Sequence, residues 1–296
     1  MHLALDEHLR LCIRAEAETS SDALLAQLCL SRKTRYLHYA GRRISCNGRL
    51  LAQDHPLHAG DTLIIDPIMP EETITPWDHP VDVLHEDELF AIINKESGLL
   101  VHSDGNNTEH TVCNALRHHF IQSAQPHVPV RPLHRLDVGT SGILLFCKYP
   151  LLQPLLDQMM ETHQIRRSYL AVVNGHFPAQ RQEYRDPIGR DRHDARRMIV
   201  CRSGKPALTR VTLLRYNKKK DRSLVRCVLE TGRTHQIRVH LSTHGFPLIH
   251  DTLYGHGDGS GRLALHSAHV ELWHPLRQMM WQTDCPLPLE LEKMIR

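Results

Sequence analysis

From residue 81 onward, short apolar runs of strand-like content follow one another too often for a helix to sit between every pair. "LFAIINK", "GILLFCK", "YLAVVNG", "ALTRVTLLRY" and "SLVRCVLE" read as strands, whereas "HTVCNALRHHF", "LLQPLLDQMMETH" and "THQIRVHLSTH" carry the apolar spacing of helices. That order excludes a regular βαβ alternation. It predicts an α+β domain on a mixed, largely antiparallel sheet with flanking helices.

Upstream the pattern changes. "SSDALLAQLCLSRKTRYLHYAGRRI" has helical spacing, with Ser20 or Ser21 as cap and "SRKTR" as a turn between two short helices. In "ISCNGRLL" the Asn47-Gly48 pair is a strong hairpin signal, and "GDTLIID" adds an extended piece. These elements mark a small α/β unit over residues 20–66. Its cations Arg32, Lys33, Arg35, Arg42 and Arg43 cluster near one turn. Such a cluster suits an RNA backbone, since phosphate contacts need charge and position but no base reading. "PIMPEETITPWDHP", residues 67–80, holds four prolines and reads as a semi-rigid linker. The expected division is 1–66, 67–80 and 81–296.

Composition narrows the class. With 41% hydrophobic and 23% charged residues the chain is not a disordered one, and no apolar run approaches the ~18 residues of a membrane span. The opening "MHLALDEHLRLCIRAEAE" carries acids and lacks the layout of a secretory signal, which places the protein in the cytoplasm. Eight cysteines are scattered singly without any Cys-x-x-Cys, as reduced core residues would be. Of the 24 histidines, His240, His244 and His250 invite comparison with metal ligands, but no His-Glu-x-x-His accompanies them and no metal site is expected. Net charge is only +3, yet residues 181–222 hold fourteen Lys and Arg against five Asp and Glu. That segment is either a solvated ribbon or a phosphate-contacting flank.

"RPLHRLDVGTSGILLF", residues 131–146, sets Asp137 before a turn of small residues that runs into an apolar strand. An aspartate there is commonly an Asx-turn; it can also be an acid at the mouth of a pocket. Tyr169, at the start of "SYLAVVNG", could be core packing with its hydroxyl at a rim. Arg238, in "TGRTHQIRVHL", could be an ordinary surface cation. Arg233, His235, Arg238 and His240 nevertheless concentrate positive charge where a buried carboxylate or a phosphate would want it.

"RPLHRLDVGTSGILLF", "SYLAVVNG", "TGRTHQIRVHL", "PLIHDTLYG" and "LALHSAHVELWHP" occur in the order seen in the RluA-type pseudouridine synthase family, which the chain resembles over residues 81–276. "VLHEDELFAIINKESGLLVH" is similar to that family's opening strand pair, with Lys95-Glu96 where lysine-proline is common. The N-terminal unit resembles an S4-type RNA-binding domain, with Gly41 to Asn47 one residue longer than usual and Cys46 in place of a valine.

The resemblance implies that Asp137 is the catalytic aspartate, that Tyr169 packs on the target uracil, that Arg238 pairs with Asp137, and that Arg135 fills the gap left by a flipped nucleotide. It further implies a cofactor-free isomerisation of uridine, by a monomer acting on RNA, with ribosomal RNA of the large subunit favoured over tRNA. The residues leave three routes open: attack on C1′, addition to C6, or removal of the C2′ proton. Competing readings are a non-catalytic RNA-binding protein, and a glycosidase-like hydrolase, which would need a second carboxylate that no motif supplies.

Overall fold

Serine caps and alternating burial set the N-terminal unit in the structure, a computed structural model that describes residues 2–106, 108–255, 257 and 259–296. β1 (His2–Leu5) and β2 (Leu11–Arg14) pair antiparallel and bury Leu3, Leu11 and Ile13. Ser20, ending β3 (Thr19–Ser20), accepts from the Ala23 amide and opens α1 (Ser21–Gln27). Ser31 accepts from Thr34 and opens α2 (Arg32–Ala40). β4 (Ile44–Cys46) and β5 (Arg49–Leu51) turn on Asn47 and Gly48, whose φ values of 47° and 81° are the left-handed pair a type I′ hairpin requires. β6 (Pro56–Leu57) pairs with β3, and β7 (Thr62–Ile65) completes a sheet ordered β1-β2-β7-β4-β5.

Two expectations need correction here. The unit does not begin at residue 20, because its sheet takes β1 and β2 from residues 2–14. "SRKTR" is not a turn between helices but the first turn of α2, since Ser31 captures a free amide at its start.

Residues 66–81 contain no helix or strand, but they are fastened down. Asn114 donates its side-chain amide to the Thr75 carbonyl (2.7 Å), the Trp77 amide donates to the Asn114 carbonyl (3.0 Å), and Glu72 accepts from the Val130 amide (2.9 Å).

Beyond them, β8 (Asp82–Glu86) and β9 (Phe90–Lys95) form a hairpin, and α3 (Val112–Gln122) starts on a Thr111 capping box. β10 (Arg131–Pro132) leads to β11 (Ser141–Cys147), then α4 (Gln153–Glu161) and β12 (Arg166–Asn174). β13 (Gln182–Tyr184) precedes a small hairpin of β14 (Ile188–Arg190) and β15 (Met198–Val200). β16 (Thr209–Asn217), β17 (Arg222–Leu229), α5 (Gln236–Thr243), β18 (Leu265–His274), β19 (Met279–Asp284) and α6 (Leu289–Ile295) follow.

The main sheet runs β13-β16-β17-β12-β18-β11-β9-β8, and among the described residues its one parallel strand pair is β11 with β18. The fold is α+β on a mixed, largely antiparallel sheet. β11 is buried throughout, and its alternation splits it between two cores. Ile143 and Leu145 join Leu25, Ile44, Leu156 and Met159, so the N-terminal unit and α4 share one face; Leu144 and Phe146 join Leu116 and Leu241 on the other. Gly142 (φ 103°) permits the parallel contact, since a Cβ there would stand 2.2 Å from the Ser267 carbonyl oxygen. No helix among the described residues is long and apolar enough to cross a membrane.

Candidate active site

The turn before β11 is held open-side out by its backbone. The Thr140 amide donates to the Asp137 carbonyl (3.0 Å), and the buried Lys95 ammonium, at the end of β9, donates to the carbonyls of Glu96 (2.8 Å), Val138 (3.1 Å) and Thr140 (2.8 Å). An ammonium has three protons for three carbonyls. The Asp137 carboxylate is therefore free of its own turn and faces α5.

There Arg238, 6% exposed, is gripped through two edges. Nε and Nη2 donate to the two oxygens of Asp251 at 2.8 and 2.9 Å, while Nη1 donates to Oδ2 of Asp137 at 3.1 Å. Asp251 also accepts from the amides of Leu253 and Tyr254, both at 3.0 Å. Burial alone would raise the Asp251 pKa, but the guanidinium and the two amides outweigh it and hold the carboxyl below the ordinary value. The Tyr254 ring lies 5.0 Å from the Arg238 guanidinium.

Asp137 and Arg238 border a cleft of about 1780 Å³ that Arg135 and Tyr169 also line. This exceeds the roughly 300–1,000 Å³ of a small-molecule pocket and suits a segment of polymer. Arg135 is exposed, whereas Tyr169 is 4% exposed on β12. His134, behind them, accepts from the Leu145 amide (3.4 Å); burial pushes its pKa well down, so it is neutral.

The structure thus gathers Asp137, Arg135, Tyr169 and Arg238 at one cleft and adds Asp251, Arg262, Ser141 and His266, to which the sequence attaches no role, beside His235, which the sequence places among the cations around Arg238. Asp251 lies in the quoted "PLIHDTLYG", and its pairing with a helix thirteen residues upstream left no local signal. Arg262, also in the cleft, donates to Ser141 Oγ and lies 3.2 Å from Glu290 of α6. Ser141 Oγ in turn is 2.8 Å from His266 Nδ1, and burial pushes the His266 pKa down to about 4. His235 faces Asp137 across 3.9 Å.

The five cations of the N-terminal unit divide. Arg35 is bound to Asp22 (2.8 Å) and to the Leu30 carbonyl, and Arg43 to Asp66 (2.6 Å); Arg32, Lys33 and Arg42 are exposed, with the exposed Tyr36 beside the first two on α2. In the basic segment, the β14–β15 hairpin presents Arg190, Arg192 and Arg196 to solvent and donates the Met198 amide to Tyr254 Oη (2.7 Å). His240 is engaged with Thr209 Oγ1 and the Asp186 carbonyl, and His244 with the Asp186 carboxylate. Among the described residues no three His, Cys, Asp or Glu side chains are grouped to hold a metal ion.

Lys95 gives a pH test. Burial pushes its pKa down to about 8, against the partial opposition of Asp137 and Glu96. Between that value and about 10.4 the unfolded chain holds a proton that the folded chain has released, so this group makes stability rise with pH across the window. Denaturant unfolding at pH 7.5 and 9.5 should therefore show wild type gaining on Lys95→Met at the higher pH. A constant difference would mean that the ammonium is not held as described.

A family model described as RNA pseudouridylate synthase matches residues 89–243. Among curated proteins, the Bacillus subtilis (strain 168) "Uncharacterized RNA pseudouridine synthase YhcT" is 34% identical over 257 residues, 86% of this chain and 85% of that one. "Ribosomal large subunit pseudouridine synthase D" of Escherichia coli (strain K12) is 32% identical over 274 residues, 86% of this chain and 82% of its own. Among solved structures, "Human RNA Pseudouridylate Synthase Domain Containing 1" superposes with a TM-score of 0.60 at 24% identity, over 73% of this chain and 87% of that one, a likeness of fold.

Proposed function

The chain belongs to the RNA pseudouridylate synthase family, in its RluA-type branch, and from that premise we propose that Asp137 is the carboxylate that isomerises uridine in large-subunit ribosomal RNA. The reaction breaks the N1–C1′ bond, turns the uracil within the site and joins C5 to C1′; C5 gives up its hydrogen and N1 gains one, so no net redox change occurs. It needs one ionised carboxylate beside the ribose. The observation that carries the reading is the geometry of Asp137, which borders the cleft: Arg238 occupies Oδ2, and among the described residues Oδ1 has no hydrogen-bond partner.

The other residues take roles around that oxygen. Tyr169 offers an aromatic face to the extruded uracil, a contact of about 1–3 kcal/mol per stacked base. Extrusion costs a few kcal/mol, which stacking, Arg135 in the vacated stack and phosphate contacts together offset. Residues 1–66 act as an S4-like RNA-binding unit, with Arg32, Lys33 and Arg42 free to meet phosphates and Arg35 and Arg43 holding its frame. One copy of the chain carries every group this reading uses. Support for a ribosomal substrate comes from relatives such as the Escherichia coli protein, whose name gives the large subunit as its target.

Replacing Arg32, Lys33 and Arg42 together by alanine should flatten the plot of log affinity against log salt by about 2–3 units, about one per lost phosphate contact. An unchanged slope would move the RNA contact elsewhere. The substrate is tested by offering unmodified large-subunit rRNA and unmodified tRNA transcripts to the purified protein and mapping pseudouridines. Modification of the rRNA at defined uridines, without released uracil, is expected. Modification of tRNA alone would overturn the substrate, and released uracil the reaction.

A further inference from the structure

Resting on the reading of Asp137 as the reacting carboxylate, we propose that His235 is a positioning residue for it: Tyr254 fixes the ring in the tautomer whose Nε2–H faces Oδ2, the oxygen already held by Arg238. Three observations from separate stretches of the chain converge on this.

First, His235 is held in a conformation that ordinary residues avoid. It precedes α5 with φ 56° and ψ 19°, a left-handed backbone, and its side chain makes no capping bond to the helix that follows. Strain of this kind persists only where the surroundings over-determine it, and here they determine where the ring points. Nδ1 lies 2.8 Å from Tyr254 Oη and Nε2 lies 3.9 Å from Asp137 Oδ2.

Second, the proton inventory selects a tautomer. The Met198 amide donates to Tyr254 Oη at 2.7 Å, and among the described residues the other polar atom within hydrogen-bond distance of that hydroxyl is Nδ1 of His235, so Nδ1 is the acceptor within reach of the phenol's single proton. Nδ1 is then the acceptor, and the ring proton sits on Nε2. The partner that orients a histidine through one nitrogen thereby decides what the other presents.

Third, the groups around the ring keep it neutral. Burial lowers its pKa most, Asp137 and Asp251 oppose this, and Arg238 and Arg135 reinforce it. A neutral N–H steers the carboxylate; an imidazolium would pair with it and blunt its reactivity. With Arg238 and His235 both directed at Oδ2, Oδ1 is the oxygen left for the nucleotide. Contacts of this length in a free enzyme commonly tighten when substrate binds.

The test compares kcat and KM for His235→Asn, His235→Gln and Tyr254→Phe, with Asp137→Asn alongside. Asparagine tolerates the left-handed backbone but removes the Nε2 donor, so kcat should fall about 10- to 100-fold with KM within about threefold. Glutamine returns a donor at that reach and should recover part of kcat. In Tyr254→Phe the imidazolium no longer forfeits a hydrogen bond, so the acid limb of kcat should move up by about half a pH unit or more. A His235→Asn enzyme with wild-type kcat, a loss confined to KM, or an unmoved acid limb in Tyr254→Phe would overturn the proposal. If Asp137→Asn is inactive while His235→Asn is not, the inference fails alone; if Asp137→Asn is active, the underlying reading fails.

Discussion

Asp137→Asn should form pseudouridine at least about 10⁴-fold more slowly than wild type, the scale of loss when a reacting nucleophile is removed, while binding RNA within about threefold as tightly. The substitution keeps the side chain's shape and an oxygen for Arg238, and it removes the charge and one acceptor. Arg238 remains held by both oxygens of Asp251, so its buried guanidinium is not stranded. The turn also survives, because its bonds run through the carbonyls of Asp137, Val138 and Thr140 and not through the carboxylate. Under the proposed function, RNA affinity rests on other groups, among them Arg135 and the exposed cations of α2. Because C5 loses its hydrogen in the reaction, tritium placed at C5 of the uridines is released to water with each turnover. Filter binding of the same labelled RNA reports affinity separately. Appreciable tritium release by Asp137→Asn would remove the carboxylate from the mechanism, and equal losses in release and binding would make it an RNA contact.

The fold class was legible because strand-like runs succeed one another faster than helices can be inserted, and the sheet has that order. What the reading passed over is equally physical. β18 spans ten residues beside β11 and β12, yet "LHSAHVELWH" carries three histidines and a serine that blur the apolar signal. The structure satisfies the histidines internally, His266 on Ser141, His269 on Asp284 and His274 on Asp87, while the buried Ser267 hydroxyl has no hydrogen-bond partner among the described residues. Likewise β1 and β2 are four residues each and gain their strand character only by pairing with each other and with β7.

At the cleft, Asp137, Tyr169 and Arg238 are legible because each lies in a recognisable motif of the sequence, Asp137 before β11, Tyr169 within β12 and Arg238 in the first turn of α5. Asp251, His235 and Lys95 lie in the same quoted motifs, but nothing in the sequence marks their partners. Their importance arises from pairings across 13, 98 and 43 residues of chain, distances that no local pattern spans. Of the five cations near α2, spacing could not separate those bound to Asp22 and Asp66 from those facing solvent.

The second large effect belongs to Asp251. The residue is 1% exposed, and its carboxylate receives four donors, two from Arg238 and two from the backbone amides of Leu253 and Tyr254. Asp251→Ala strands a buried guanidinium with Asp137 as its remaining carboxylate and should cost about 3–5 kcal/mol, the penalty for breaking a buried pair from one side. Arg238 would then be free to turn, so activity should fall with stability. Arg238→Met with Asp251→Leu removes both charges and should regain much of the stability while staying inactive, since apolar replacement of a buried pair is often neutral. The pH dependence follows from the carboxyl's lowered pKa. Its stabilisation is complete above the ordinary carboxylate value of about 4 and is lost as pH falls through the folded-state value, so the gap between wild type and Asp251→Ala should narrow in strong acid. Denaturant unfolding of the three proteins at pH 7 and at pH 3 measures all of this. An Asp251→Ala protein as stable as wild type at pH 7 would show that Arg238 does not depend on this partner, and the account of how Asp137 is presented to the cleft would lose its anchor.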